Sequence, residues 1–322
     1  MEKKKILITG IAGFIGFHLA SFLVKKNQGV IGCDDFNPYY SPLLKKKRSE
    51  QLKTLGVEVL SLDIQTIQAH TSFFKELQIT HVVHLAAQAG VRHSITHPMP
   101  YVDSNIRGFL AVLELVRALQ VKCIFASSSS VYGGNTKTPF SETDPTDSPI
   151  SLYAATKKSG ELLAKSYHYL YQIPMTGLRF FTVYGPWGRP DMAYFSFSEK
   201  ILQGQPISLF NNGNMRRDFT YIDDIIDGIS AAIETCNGFE IYNLGNNHPE
   251  SVTDLVFHLE RALGKKAYLE PLPKQEGDPI LTWADITKAQ HKLQFSPKTS
   301  LASGIQRFAD WFLQWNALKK LD

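Results

Sequence analysis

The chain has 322 residues, 43% hydrophobic and 20% charged, with 22 glycines, 16 prolines and three cysteines. Such a composition excludes collagen-like, disordered and coiled-coil chains, and the length suits one large α/β unit or two interlocked ones. A net charge of +4 is too small to point to nucleic acid, and none is expected as a partner. Short basic runs at residues 3–5 and 45–48 read as solvated faces. Cys33, Cys123 and Cys236 are spaced neither as a disulfide framework nor as a metal set, and suit a reducing cytoplasm. The apolar run Ile6-Leu7-Ile8 breaks at once into Thr9-Gly10, too early for a secretory signal. No segment reaches the roughly 18 apolar residues of a membrane span, so a cytoplasmic protein without membrane contact is expected.

Along the first half, short β-rich runs alternate with longer helical patterns. Strands are predicted at residues 5–9, 30–33, 57–62, 81–85 and 122–126, with helices at 14–26, 67–77 and 101–119 between them. A helix at 152–171 then leads to a strand at 175–180. This alternation implies βαβ crossovers and a parallel sheet covered on both faces, which the near-continuous apolar strands require. Beyond residue 180 the pattern changes: Gly, Pro and aromatics crowd 184–190, and 207–220 reads as a hairpin. Helices return at 222–235 and 252–263, and a strand at 241–244 is placed to rejoin the first sheet. With no repeat and no linker, a second, smaller α/β domain is expected to be interleaved with the first. The division is residues 1–180 plus about 221–247, against about 181–220 plus 248–322.

Gly10-x-x-Gly13-x-x-Gly16 falls between the first strand and the first helix. Lacking Cβ atoms, such a turn lets backbone approach a pyrophosphate, whose charge meets a helix N-terminus. A ligand-free tight turn would use the same residues. Asp34, at the end of the second strand, favours the first reading, because a carboxylate there accepts hydrogen bonds from an adenosine ribose. It would repel a 2′-phosphate, so NAD is expected rather than NADP. Asp63, after the third strand, reads either as a neighbour of the adenine or as a helix cap.

Tyr153 and Lys157 sit one turn apart on the helix at 152–171, on one face. A tyrosine normally titrates near pH 10, and a nearby ammonium favours its phenolate. Ser127-Ser128-Ser129-Ser130 ends the fifth strand, at the sheet edge where α/β folds bind ligands. One of these hydroxyls would complete a Ser/Tyr/Lys hydride-transfer site.

Together the Gly turn, Asp34, Leu85-Ala86-Ala87, Ser128, Tyr153 and Lys157 resemble the extended short-chain dehydrogenase/reductase superfamily. Longer strings resemble its UDP-glucuronate 4-epimerases: DFNPYY at 35–40, HLAAQAGVR at 84–92, SSSSVYG at 127–133, RFFTVYGPWGRPDM at 179–192 and RRDFTYIDD at 216–224. The likeness runs from residue 5 to about 245; the tail beyond is weakly informative. One departure is Asp35, where the family more often has Asn. The resemblance implies a Rossmann-type doubly wound sheet, bound NAD, a homodimer pairing helices near 101–119 and 152–171, and a UDP-sugar substrate. It puts Phe14, Ile15, Ile64, Leu85, Ala86 and Ala87 beside the cofactor, with Tyr153 as base, Lys157 tuning it and Ser128 bonding the 4-oxygen.

Dehydratases of the superfamily carry an Asp-Glu pair just before Val-Tyr-Gly, where this chain has Ser129 and Ser130, so dehydration is not expected. A glucuronate needs a cationic partner, for which Arg is suited. Arg189, in Pro186-Trp187-Gly188-Arg189-Pro190, matches the family's carboxylate-reading arginine, with Ser129 and Ser130 assisting and Arg92 as a second cation. Arg217, with Thr182 nearby, matches the diphosphate clamp. The histidines show no metal spacing, and no metal is expected. The resulting reading is reversible 4-epimerisation of UDP-glucuronate to UDP-galacturonate. Its alternatives are a neutral UDP-hexose or UDP-N-acetylhexosamine substrate, or a non-catalytic NAD-bound scaffold.

Overall fold

The computed structural model describes residues 4–273 and 279–318, so Lys3 of the N-terminal basic run lies outside the described residues. The first six strands are β1 (Lys5–Thr9), β2 (Gly29–Asp34), β3 (Glu58–Ser61), β4 (His81–His84), β5 (Lys122–Ser128) and β6 (Met175–Phe180). They are followed by β7 (Thr182–Tyr184), β8 (Pro206–Phe210), β9 (Arg216–Tyr221), β10 (Phe239–Leu244), β11 (Pro249–Ser251) and β12 (Tyr268–Leu272). Helices of the first half are α1 (Phe14–Lys25), α2 (Pro42–Thr54), α3 (Thr71–Glu76), α4 (Val91–Thr96), α5 (Met99–Val102) and α6 (Phe109–Leu119). Those of the second half are α7 (Leu152–Tyr171), α8 (Ala193–Gln203), α9 (Ile222–Thr235), α10 (Val252–Leu263), α11 (Thr287–Leu293) and α12 (Leu301–Leu318).

A seven-stranded parallel sheet runs in the order β3-β2-β1-β4-β5-β6-β10. Its apolar residues feed two cores in alternation. Ile6, Ile8, Val83 and Ile124 enter one, while Leu7, Val82, Cys123 and Phe125 enter the other. Helices therefore have to cover both faces, and they do. Between β1 and β4 the strand order reverses, which opens a crevice at their C-terminal ends. The strand expected at 241–244 does join this sheet, parallel to β6.

Two smaller sheets, β11-β9-β7 and β12-β8, lie among the helices of the remaining chain. The hairpin expected at 207–220 is not there. β8 pairs in parallel with β12, while β9 lies between β7 and β11, so a two-residue alternation found both strands and could not name their partners. Two predicted helices are also subdivided. The one expected at 67–77 opens with a 3₁₀ turn, Ile64–His70, whose first free N–H, on Gln65, bonds the Asp63 carboxylate. The one expected at 101–119 is widened by a π-turn, Asp103–Gly108. Buried Asn105 in that turn accepts from Gln88 N–H and donates to the Gln88 carbonyl and Thr156 hydroxyl. A π-turn that aims one polar side chain is a frequent device at functional sites.

The largest departure is at residues 45–48. Far from being a solvated face, this run lies in α2 with Lys45 buried and Arg48 completely so. The weakly informative tail includes α11 and α12, and α12 brings Phe308, Trp311, Phe312 and Trp315 onto Phe195 and Trp187. Aromatic area of this kind dominates core energetics.

One buried ion pair joins the sheet to α7. Arg179 on β6 donates through Nε and Nη2 to both oxygens of Glu161, at 2.8 Å each. Ser127 donates to Glu161 as well, and Tyr132 links Arg179 to Asn243. Breaking a buried pair strands a charge and typically costs about 3–5 kcal/mol, whereas replacing both partners by apolar groups is far milder. Arg179→Met is therefore expected to destabilise by that amount, and Arg179→Met with Glu161→Leu to recover most of it. Urea denaturation of the two variants checks this; equal losses would mean the pair is not the source.

Candidate active site

Local chemistry sets the turn after β1. Gly10 has φ +71, and a Cβ there would sit 2.7 Å from Ala86 N. A Cβ on Gly13 would approach the Gly10 carbonyl to 2.9 Å, and one on Gly16 would collide with it. Gly10 and Ile11 donate to the Cys33 carbonyl, which ties the turn to the end of β2. On the other side, Leu85 N donates to the Thr9 carbonyl and Ala86 N to the Thr9 hydroxyl. The tips of β1, β2 and β4 thus converge on three residues without side chains, and Phe14 opens α1 directly behind them.

A cleft of about 250 Å³ starts at this turn. Gly10, Gly13, Phe14, Ile15, Gly16, Asp34, Ile64, Leu85, Ala86, Ala87, Ser128, Tyr153, Lys157 and Arg189 all line it. The expected cofactor residues are brought together with the expected hydride-transfer residues, except Asp63. Asp63 caps the 3₁₀ turn and is not itself on the cleft wall, although its neighbours Leu62 and Ile64 are. Asp34 accepts from Phe36 N at 2.9 Å and from Lys45 Nζ at 3.2 Å. Lys45 also stands 3.8 Å from Asp35, so two carboxylates and one ammonium surround this corner. The balance is still negative, as discrimination against a ribose phosphate requires.

Ser151 caps α7 by accepting from Ala154 N, which starts the helix where Tyr153 falls in its first turn. Burial pushes the Tyr153 phenol above its ordinary range, opposed by a hydrogen bond with Ser128 and by the charge of Arg189. Lys157 follows one helical turn later. Its Nζ donates to the Ala126 carbonyl at 2.7 Å, and burial lowers its own pKa to about 8, with Glu161 resisting. Ser128 bonds the hydroxyl and N–H of Ser130 while capping the short turn Ser129–Tyr132. Arg189 Nε and Nη2 donate to the two oxygens of Asp191, at 3.0 and 2.5 Å.

The remaining predicted residues lie outside the cleft wall. Ser129 and Ser130 line a smaller adjoining hollow with Val91, Gly133 and Thr282. The Arg92 guanidinium lies 5.1 Å from the Phe210 ring centre, Thr182 is half-buried on β7, and Arg217 donates to the Arg216 and Ile280 carbonyls. Sequence reasoning missed Tyr39, Lys45 and Gln88, which do line the cleft. The strings DFNPYY and HLAAQAGVR held Tyr39 and Gln88, and only Lys45 had no signal beyond a basic run. Among the described residues no group of three or more His, Cys, Asp or Glu is placed to hold a metal ion. No described helix is long and apolar enough to cross a membrane.

Residues 6–245 match the model of the NAD dependent epimerase/dehydratase family. The chain belongs to that family. It is 48% identical to UDP-glucuronate 4-epimerase 4 of Arabidopsis thaliana, over 96% of this chain and 75% of that protein. It is 45% identical to protein CapI of Staphylococcus aureus, over 97% and 99%. The crystal structure of a Bacillus cereus UDP-glucuronic acid 4-epimerase with UDP-glucuronic acid and NAD superposes with a TM-score of 0.90, at 38% identity over 97% and 99% of the two chains.

The glycine turn, the negative corner at Asp34 and the cleft between them fit NAD. Protein denatured after purification is expected to release NAD⁺ or NADH and no NADP, as chromatography of the supernatant would show. Gly10→Val, which forces a β-branched residue into φ +71 against Ala86, should release neither. NADP alone in the wild-type supernatant would overturn the role given to Asp34.

Proposed function

We propose that this chain is an isomerase that interconverts UDP-glucuronate and UDP-galacturonate at C4, with NAD as a retained cofactor. The observation that carries the reading is the placement of Ser128, Tyr153, Lys157 and Arg189 in the cleft that begins at the glycine turn. Residues 1–180 with about 221–247 hold the cofactor, and 181–220 with 248–322 hold the UDP-sugar. When bound, NAD supplies a hydride acceptor and donor for C4. Tyr153 takes the proton of the 4-hydroxyl and returns it after the flat 4-keto sugar has turned over. Ser128 bonds the 4-oxygen, which draws the phenol and the reacting carbon together. Lys157, whose ammonium donates to the Ala126 carbonyl, orients the cofactor ribose and Tyr153.

Ser129 and Ser130 offer hydroxyls where elimination needs an acid and a base, which disfavours dehydration. Arg189 reads the uronate carboxylate, and Arg92 adds positive charge. Arg217 and Thr182 hold the diphosphate. A neutral hexose would leave Arg189 without a substrate partner, so the alternative substrates are weaker readings. We further propose a homodimer. Leu110 on α6 and Leu162, Tyr169 and Leu170 on α7 are exposed by 39, 56, 77 and 61%. Apolar side chains gathered on two helices mark an interface, and sedimentation at the monomer mass would refute it. Three buried free thiols support a reducing, cytoplasmic setting.

Incubation with UDP-glucuronate and separation of the products tests the reaction. Tyr153→Phe is expected to lose about 10²–10⁴-fold in turnover with binding retained, the usual worth of general acid–base help. Near-normal turnover would remove Tyr153 as the base.

Arg189 faces a second demand. Oxidation at C4 makes a β-keto acid, whose carboxylate leaves as CO₂ when its C–C bond aligns with the carbonyl π system. A guanidinium holding the carboxylate keeps that bond out of alignment. Arg189→Ala should raise KM for UDP-glucuronate about tenfold or more and increase the share of UDP-pentose, read by mass spectrometry. Unchanged affinity without extra pentose would transfer the role to Arg92.

A further inference from the structure

Arg48 is a fully buried charged side chain, with no accessible surface. Among the described residues no carboxylate pairs with it. Its Nη1 donates to the Ala12 carbonyl and the Tyr40 hydroxyl, both at 2.9 Å. Its Nη2 donates to the carbonyls of Trp187 and Gly188, at 2.6 and 3.1 Å. Nε has no hydrogen-bond partner among the described residues. One guanidinium therefore ties together the glycine turn, the segment after β2 and the loop that carries Arg189. A buried cation without an acid partner is costly, and a core that served stability alone would be better filled by an apolar residue. What the cation holds is an unusual piece of backbone. Trp187 lies at φ +57, in the left-handed region that non-glycine residues avoid, immediately before Gly188 and Arg189.

A second contact fixes the other end of Arg189. Asp191 takes the edge formed by Nε and Nη2 and receives a hydrogen bond from the Tyr39 hydroxyl at 3.2 Å. Nη1 makes no hydrogen bond to the described protein, so the edge between the two terminal nitrogens remains for a further carboxylate. A guanidinium can serve two carboxylates on different edges, and one already held loses less freedom on binding the second.

We propose that Arg48 and the Tyr39–Asp191 pair are positioning residues that preset Arg189 for a uronate: Arg48 fixes its backbone, and Asp191, steadied by Tyr39, fixes its guanidinium. This rests on the reading of Arg189 as the carboxylate partner. Specificity for an acidic sugar is then set from the segment that follows Asp34, on the cofactor side of the cleft, as well as from the loop that carries Arg189.

The test is calorimetric titration of the NAD-loaded enzyme with UDP-glucuronate and with UDP-glucose as the neutral probe. Arg48→Lys keeps the charge but cannot span the three segments, and Asp191→Asn loses the two-oxygen grip. Each is expected to weaken UDP-glucuronate by about tenfold and UDP-glucose by less than about twofold. Tyr39→Phe, which deletes one hydroxyl at the cleft wall and leaves the Arg48 contacts intact, should move the same ratio by a smaller factor and stands in should Arg48→Lys fail to fold. Equal weakening of both ligands would reduce the arrangement to a structural one. Tighter uronate binding in Asp191→Asn would show that Asp191 competes for Arg189 instead of holding it; either result overturns the proposal. A wild-type enzyme without preference for UDP-glucuronate would instead remove the reading of Arg189 itself, and the brace with it.

Discussion

Backbone at Gly10 passes so close to Ala86 that no side chain fits between them. Everything in the cleft depends on that approach. It occurs where the strand order of the sheet reverses, so the tips of β1, β2 and β4 meet at a point that the covering helices leave open. On the β2 side the Cys33 carbonyl receives two N–H groups from the turn, fixing the distance between the glycines and Asp34. Cofactor chemistry in this family is thus a consequence of sheet geometry first and of side-chain identity second.

Below the cleft, the polar groups form one connected layer. Lys157 bonds the Ala126 carbonyl on β5, one turn before Glu161 on the same helix. Glu161 in turn takes Ser127 and Arg179, and Arg179 reaches Asn243 through Tyr132. Asn243 lies on β10, the strand that returns from the far part of the chain. Fully satisfied networks of this kind rigidify their surroundings, because each member is costly to leave unpaired. The position of Lys157 is therefore set by residues from β5, β6, α7 and β10 together.

Sequence periodicity made most of the sheet legible. Strands Lys5–Thr9 and Met175–Phe180 and helices Leu152–Tyr171, Ile222–Thr235 and Val252–Leu263 stand where the apolar pattern put them. These are elements whose buried faces are continuous, so local pattern and tertiary burial agree. The glycine turn, Asp34, Ser128, Tyr153 and Lys157 were legible for a related reason: each needs a fixed residue type at a fixed place relative to a strand end or a helix turn. What failed was partner choice and charge. Alternation over 207–220 revealed two strands and suggested that they pair with each other, whereas β8 and β9 belong to different sheets. A run of four basic residues resembled a wet surface, yet two of its members are buried because backbone carbonyls and Asp34 converge on them from elsewhere in the chain.

By itself the sequence determined the fold class, the glycine turn and the residue types of the proposed hydride-transfer set, since these follow from near-neighbour spacing and from backbone positions that only glycine can occupy. The tertiary structure alone decided which of the predicted residues share one cleft, that Arg189 is already gripped by Asp191, and that Arg48 is an interior tie. The burial of Arg48 depends on oxygens brought from segments more than a hundred residues apart, as Arg48 and Gly188 are. A linear pattern carries no signal for that meeting, because the free energy of a buried charge is set by the acceptors around it and not by its neighbours in the chain.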